Sequence, residues 1–430
     1  MTAVPTRRRF LQSGLAGVFA AAIAPRFLPA RLLGQGAPSK RVTLGFIGLG
    51  AHGLGVNLRS FLQEDDCVAL AICDVQPAKR AAALAEVHKH YGNRDCTAHA
   101  DFREVLARPD LDAVVISTPD HWHVTMALMA LEAGKHVFCE KPTLTIAEGR
   151  RLADAVKKRG AQLFATGLED RSVIQYYMMA EHVRNGAIGR LRHVSCGLQI
   201  KPPVPREAPA PVPAGVNYEL WLGPAPFRPY SPSLLEPQVW RQIRDFSGGT
   251  LTDWGAHLVD TAQVANFAED SSPVAVTGRG EIPPDAMNDV PRTFKIDYTF
   301  ANGVTMEVTA GVPSIRFEGS GGWIGNKGWL GRLEASDDTI LRRRYDAKTT
   351  KLWPRRPREQ RDFLDCLKNG QPPMYTAEAL HRLSTTLHLG AIAMELGRPL
   401  KWDPVREEFP GDSAANALRT RPVRDAWRKA

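Results

Sequence analysis

The sequence predicts an α/β protein in two parts: an N-terminal doubly wound domain on a parallel sheet, and a C-terminal α+β domain on a large, mostly antiparallel sheet. Three observations predict it. Short apolar runs alternate with helical periodicity from Val42 to about Thr166, the grammar of βαβ units. A glycine fingerprint, Gly48-Leu49-Gly50-Ala51-His52-Gly53, follows the first run and opens a helix. Beyond residue 190 the pattern changes to polar–apolar alternation, which marks strands with one face in water.

In the first part, runs at 42–49, 68–73, 113–117, 136–139 and 162–166 read as strands, and 77–91, 124–133 and 146–159 as helices between them. This domain spans 41–166. The second spans 167–400: a helix at 173–185, a strand at 191–198, a proline-dense loop at 202–213 and a helix near 256–266. Strands follow at 274–278, 292–300, 304–310, 314–318 and 329–334, then helices at 359–368 and 376–396, and 401–430 is a tail.

Ahead of both stands Thr6-Arg7-Arg8-Arg9-Phe10-Leu11-Gln12, a twin-arginine pattern, followed by an apolar stretch from Leu15 to Ala24 that ends at Pro25. The stretch is far short of the roughly 20 residues that span a bilayer. It reads as the core of a signal peptide, residues 1–37, cleaved between Ala24 and Ala37, with no stable membrane insertion. Twin-arginine export carries folded proteins, so the expected location is periplasmic or extracellular, with any cofactor already inserted. The formal charge of +9 is not a nucleic-acid footprint. Residues 1–40 carry six basic and no acidic residues, and 341–361 nine basic against two acidic, which leaves the remainder net acidic and the second stretch a solvated face. Six cysteines without C-x-x-C spacing, in a protein folded before export, read as free, buried thiols.

Within the fingerprint, Gly48 permits the tight turn, Gly50 lets backbone approach a pyrophosphate, and Gly53 allows close helix–strand packing. Asp74 ends the second strand, where a carboxylate accepts bonds from adenosine ribose hydroxyls and repels a 2′-phosphate. That charge argument favours NAD over NADP, softened by Lys79 and Arg80; a helix cap is the competing reading. The run Thr118-Pro119-Asp120-His121-Trp122-His123 follows the strand at 113–117, where ligands of such sheets bind. Thr118, Pro119 and His123 therefore fall to the cofactor and Trp122 to the substrate, at the nicotinamide end of the pocket, with a structural histidine as the alternative for each imidazole. The next strand ends in Glu140-Lys141-Pro142. Burial beside a nicotinamide cation would depress the Lys141 pKa, which suits a proton donor or acceptor at a substrate hydroxyl. Asp253 and His257 stand four apart at a helix start, on one face; an N-terminal cap and a packed histidine are the alternatives. No spacing of His, Cys or carboxylates reads as a metal site.

The runs Ala133-Gly134-Lys135-His136-Val137 into Glu140-Lys141-Pro142, and Gly248-Gly249-Thr250-Leu251-Thr252-Asp253-Trp254-Gly255-Ala256-His257-Leu258-Val259-Asp260, resemble the Gfo/Idh/MocA family of sugar and polyol oxidoreductases. The likeness covers almost everything after the leader. It implies a Rossmann NAD-binding domain, a carbohydrate substrate, a homo-oligomer formed through the C-terminal sheet, and a catalytic group of Lys141, Asp253 and His257, with Glu140 beside Lys141 at the cofactor. A substrate role for Arg171 is also implied, although Glu169 places an acid where the family usually carries glutamine. Trp240, near Trp221 and Arg244, resembles positions of exported members where aromatics stack on sugar faces; a core lid is the competing reading.

These residues together predict hydride transfer between NAD and the hydroxyl carbon of a sugar, polyol or glycoside. His257, held by Asp253 and assisted by Lys141, takes the hydroxyl proton. An exported enzyme has little free dinucleotide to exchange, so the cofactor is expected to be tightly held and re-oxidised in place. Two other readings stand beside this one: a glycoside-cleaving or epimerising enzyme that works through transient oxidation, and a non-catalytic sugar-binding protein on the same fold.

Overall fold

A computed structural model describes residues 41–427. The predicted signal peptide, 1–37, lies outside the described residues. Six parallel strands, β1 (Val42–Ile47), β2 (Cys67–Cys73), β3 (Thr97–His99), β4 (Ala113–Ile116), β5 (His136–Glu140) and β6 (Phe164–Gly167), form the first sheet in the order β3-β2-β1-β4-β5-β6. β4 is buried at every position, as a parallel strand covered on both faces must be. The helix Ile146–Arg159 shows why its ends were legible: Thr145 accepts from the Glu148 N–H at 3.2 Å, and Gly160 closes it at φ 61°. Strand order reverses between β1 and β4, which opens a crevice at their carboxyl ends.

The second sheet has eight strands: β7 (Leu191–Gln199), β8 (Ala275–Glu281), β9 (Thr293–Thr299), β10 (Thr305–Gly311), β11 (Ser314–Gly319), β12 (Gly322–Lys327), β13 (Leu333–Ala335) and β14 (Leu400–Lys401). Their order is β13-β12-β11-β7-β10-β9-β8-β14, antiparallel except where β10 lies parallel to β7. Alternation works as the sequence predicts: in β9, Phe294, Ile296 and Tyr298 are buried while Lys295 and Asp297 face outward. The helices Thr250–Ala265 and Ala377–Leu396 join the inner face in one apolar core with Leu387, Val308, Ile315 and Phe317.

Three elements differ from the sequence reading. The helix expected at 124–133 starts at Asp120, which places Trp122 in its first turn. The helix expected near 256 starts at Thr250, because Gly249, at φ 72°, turns the chain directly into it; Asp253 and His257 are thus both helical. The strand expected at 329–334 is replaced by β12 and β13, with Trp329 in the turn between them; Leu330, at φ 59°, breaks the run. All six cysteines are free and buried. No helix among the described residues is long and apolar enough to cross a membrane.

The two sheets are fastened to each other by helices and tail. Phe363, on the helix Glu359–Asn369, packs edge-on against Phe138 of the first sheet, with ring centroids 5.6 Å apart. Arg150 reaches Glu378 at 2.8 Å and Glu407 at 2.7 Å. Part of the basic stretch expected to be solvated is used here: Arg355 donates to the Ser172 carbonyl, and Arg361 pairs with Glu64 and Asp66. The tail lies along the first domain, with Trp427 edge-on to Trp122 at 4.7 Å.

The fingerprint glycines divide by what a side chain would meet. A Cβ on Gly53 would lie 2.0 Å from the Gly48 carbonyl oxygen, whereas one on Gly50 would meet no atom within 4 Å. Gly53→Ala should therefore lower stability by about 1–3 kcal/mol through forced backbone shifts. Gly50→Ala should melt like the parent yet lose dinucleotide affinity, as followed by nucleotide titration; unchanged affinity would remove Gly50 from the phosphate cradle.

Candidate active site

A cavity of about 700 Å³ fills the crevice between β1 and β4 and extends to the helix Thr250–Ala265. Gly48, Gly50, Gly53, Asp74, Thr118, Pro119, His123, Glu140 and Lys141 all line it, as do Asp253, His257, Trp122 and Trp240; Arg171 does not.

At the fingerprint end, Asp74 accepts the Leu49 N–H at 2.8 Å through one oxygen and the Gln76 N–H at 2.9 Å through the other. Gln76, and not Asp74, is the cap residue of the helix Pro77–Tyr91, and the Asp74 carboxylate keeps about two of its roughly four acceptor positions at the cavity wall. Among the described residues Thr118 Oγ1 is buried without a partner and nothing lies within 4 Å of a Cβ built on Gly50. An unmet hydroxyl and a glycine-lined cradle are what a pyrophosphate and its riboses would fit. Glu140 faces the middle of the cavity and is held by His52 Nε2 at 3.0 Å and Asn57 Nδ2 at 2.8 Å. Burial opposes its charge, but His52, Asn57 and Lys141 outweigh that and hold the carboxyl at about 2. Gly167 makes room for it: a Cβ there would lie 2.3 Å from Glu140 Oε1.

At the other end, Lys141 Nζ donates to the Asp253 carboxylate at 3.0 Å and to the Asp253 carbonyl at 2.9 Å. The expected fall in the Lys141 pKa is reversed. Burial does push the ammonium down, but Asp253 and Glu140 outweigh it and hold it above its ordinary value. Lys141 is therefore a fixed positive charge. Asp253 is itself held far below the usual carboxylate range, burial being outweighed by Lys141 and by Arg241, whose Nε lies 3.5 Å from its second oxygen.

His257 is not held by Asp253. Its Nδ1 lies 2.8 Å from Asp170 Oδ2, with Glu169 Oε2 at 3.8 Å, while Nε2 has no protein hydrogen-bond partner among the described residues. Burial, then Lys141, push His257 down to about 4, and burial beside Asp260 pushes Asp170 well above its ordinary value. Both groups are driven toward neutrality, so the pair exchanges a single proton, and Nε2 is the atom that can deliver or take it. Trp254 and Trp329 flank the imidazole, Trp329 edge-on at 4.8 Å.

Two substrate assignments fail. Trp122 is 2% exposed; its indole N–H donates to the carbonyls of Leu220 and Trp221, and a Cβ on Gly223 would lie 2.0 Å from its ring. It touches the cavity wall but is too covered to stack on a sugar, and its bonds pin the 218–224 segment. Arg171 turns away from the cavity into a buried pair with Asp260, at 2.8 and 3.1 Å, above the Tyr375 ring. His123, whose ring bridges the Thr118 and Pro142 carbonyls, ties two strand ends together on the cavity floor. Trp240 stays on the wall, stacked under the Arg241 guanidinium at 4.4 Å.

Asp170, His52, Asn57, Arg241 and Trp329 were missed by the sequence reading. Asp170 adjoined a position already marked as unusually acidic, and that was the only available signal. Together Glu169, Asp170 and His257 bring donor atoms within 4.8 Å of one another, a cluster with the spacing to hold a metal ion that sequence spacing cannot show because its members come from two distant segments.

Two substitutions separate holding from chemistry. Arg171→Ala strands a buried Asp260 and should cost about 3–5 kcal/mol, seen as a lower denaturation midpoint, with KM for substrate unchanged in the folded fraction. Asp170→Asn keeps the shape but fixes the wrong imidazole tautomer. It should lower kcat about 100-fold or more with little change in KM or melting temperature.

The geometry agrees with what comparison finds. Residues 42–166 match the family described as an oxidoreductase family, NAD-binding Rossmann fold, and 205–429 its C-terminal alpha/beta domain. A glycosyl hydrolase family 109 protein of Shewanella sp. is 32% identical over 158 residues, 35% of this chain and 34% of that protein. The chain thus spans about a third of the length of that curated relative. Among solved structures, the WlbA dehydrogenase of Bordetella pertussis, in complex with NADH and UDP-GlcNAcA, superposes with a TM-score of 0.64 at 17% identity, covering 84% of this chain and 99% of that one. The aldose–aldose oxidoreductase of Caulobacter crescentus gives 0.60 at 20% identity, covering 84% and 99%. With both of its family domains matched and a dinucleotide cradle in place, the chain belongs to the Gfo/Idh/MocA family of oxidoreductases and carries that family's NAD-binding Rossmann domain.

Proposed function

We propose that the protein oxidises and reduces a hydroxyl carbon of a sugar, polyol or glycoside with an NAD that it does not release, and that it does so outside the cytoplasm. The observation that carries the reading is the convergence of Lys141, Asp253 and the His257–Asp170 pair at the end of a dinucleotide cavity walled by Trp254 and Trp329. Bound nicotinamide supplies the acceptor for the hydride that leaves the substrate carbon with its electron pair. His257 Nε2 takes the hydroxyl proton as the C–O bond becomes a carbonyl, and Asp170 holds the opposite nitrogen. Lys141 donates to the oxygen on which negative charge gathers. The reverse transfer returns the proton from the same Nε2. Trp254 and Trp329 offer apolar faces to the C–H surface of a pyranose.

Asp74 favours NAD over NADP, since a 2′-phosphate would meet its carboxylate. Export rests on the Arg7-Arg8 leader, and retention of the cofactor follows from export. The outward face of the second sheet, with Lys295, Asp297 and Glu307, is the surface we assign to contact between copies of the chain.

A second reading, cleavage of a glycoside through transient oxidation, is favoured by the likeness to the Shewanella family 109 protein. Oxidation acidifies the neighbouring C–H, elimination removes that proton and expels the aglycone to leave an unsaturated ketone, water adds across the double bond, and return of the hydride to the carbonyl restores the cofactor. Purified protein should keep its dinucleotide through exhaustive dialysis, and bound NADH absorbance should rise and fall when one sugar and then a carbonyl acceptor are added. Release of p-nitrophenol from aryl glycosides without net NADH would transfer the assignment to cleavage. Loss of the nucleotide on dialysis with steady reduction of added NAD would rule out retention.

A further inference from the structure

A second cavity, of about 300 Å³, lies behind the catalytic loops. Leu144 and Thr145 reach it from the loop after Pro142, Gly248 from the turn before the catalytic helix, and His388 and Met394 from the helix Ala377–Leu396; the tail closes it with Arg421. Much of its wall is aliphatic, from side chains such as Ile146, Ile282 and Ile392. Into this chamber Arg421 brings a guanidinium that forms no ion pair among the described residues. Its Nη1 donates to the Arg244 carbonyl and, at 3.4 Å, to the Ser247 carbonyl. Nε and Nη2 have no acceptor among the described residues, and Arg421 lines the cavity.

The surrounding charges do not answer it. Burial pushes Arg421 down to about 10, assisted by Arg244, while Glu148, Asp245 and Asp120 act only from a distance. Arg244 is paired with Glu395 at 2.6 Å, and Asp289 with Arg228 at 2.9 Å, besides accepting the Arg244 N–H. His388 is neutral, pushed down to about 3 by burial and then by Arg421, and donates Nε2–H to the Thr143 carbonyl at 2.8 Å. Two open donors at the end of an aliphatic chamber complement a carboxylate or phosphate on an apolar body.

We propose that this cavity is a binding site for a small organic anion, a carboxylate or phosphate monoester with a short apolar body, anchored by Arg421. The 141–145 loop and the 248–253 turn carry Lys141 and Asp253 on one side and this chamber on the other, so an occupant lies against the back of the active site.

Calorimetric titration of the purified, cofactor-loaded protein with hexanoate, butyl phosphate and hexanol tests it. One saturable site for an anionic probe and none for hexanol is expected; tighter binding of butyl phosphate than hexanoate assigns a phosphoryl headgroup, and the reverse order a carboxylate. Arg421→Gln should weaken binding about tenfold or more. Ala391→Phe, which fills the chamber and leaves the guanidinium in place, should abolish it at unchanged melting temperature and bound nucleotide. Failure of both anions to saturate the wild-type protein overturns the proposal, as does anion binding that survives unchanged in the Ala391→Phe protein.

Discussion

The contact between the Lys141 ammonium and the Asp253 carboxylate joins the end of a strand in the first sheet to the first turn of the helix that runs beneath the second. Both partners are largely withdrawn from water, and a buried ion pair of this kind adds little net stability over well-packed apolar residues. What it supplies is position. The ammonium also donates to the Asp253 backbone carbonyl, so the helix start is fixed in two directions, and His257 one turn later inherits that placement. The cofactor cradle is set by β1 and β4, the proton-handling group by the helix, and this pair fixes the distance between them.

Charge in the cavity follows from that constraint. Lys141 and Arg241 are both engaged by Asp253, which leaves a fixed cationic edge where a substrate oxygen would sit. The acids gather behind the imidazole: Glu169 beside it, Asp170 beneath it, and Glu140 across the loop. Glu359, buried in the same region, is pushed up to about 7 by burial and by Glu169 and Glu140. So many carboxylates near one neutral imidazole make full ionisation unfavourable, and a proton gained or lost at His257 is shared with its neighbours. Arg171 belongs to the same compensation. It lies on the opposite side of the helix, neutralising Asp260, which would otherwise raise Asp170 still further.

What could be read from the sequence were features with short chain separation. The fingerprint, Asp74, the Glu140-Lys141 strand end and the Asp253/His257 spacing each sit within one element, where periodicity and glycine chemistry act directly. The Lys141 environment was misread because desolvation is visible in a strand-end lysine, whereas its counter-charge lies 112 positions away. The partner of His257 failed for the same reason: four residues separate it from Asp253, but side chains on successive turns can point to different neighbours, and Asp170 arrives from the entrance to the second domain. Trp122 and Arg171 look like ligand-facing residues by type and position. Only the fold shows that one is covered by the 218–224 segment and the other is claimed by Asp260.

That covering segment bears on how long a dinucleotide stays. The chain from 214 to 246 lies across the carboxyl ends of β1, β2 and β4: the Asn217 N–H donates to the Val75 carbonyl, next to Asp74, and Trp221 and Trp240 reach the cavity wall from above. Its hold is distributed. Trp122 and His121 bond its carbonyls from below, and Arg424 of the tail bonds the Gly223 carbonyl and Glu219 from outside. Lifting it breaks these bonds together and exposes the apolar cluster of Tyr218, Leu222, Tyr230 and Phe246, so opening is a sub-global event and not the motion of a loose loop. The segment thus ties the C-terminal domain and the tail to the rim of the dinucleotide cavity, so the cradle is bounded by the second domain as much as by the glycine fingerprint.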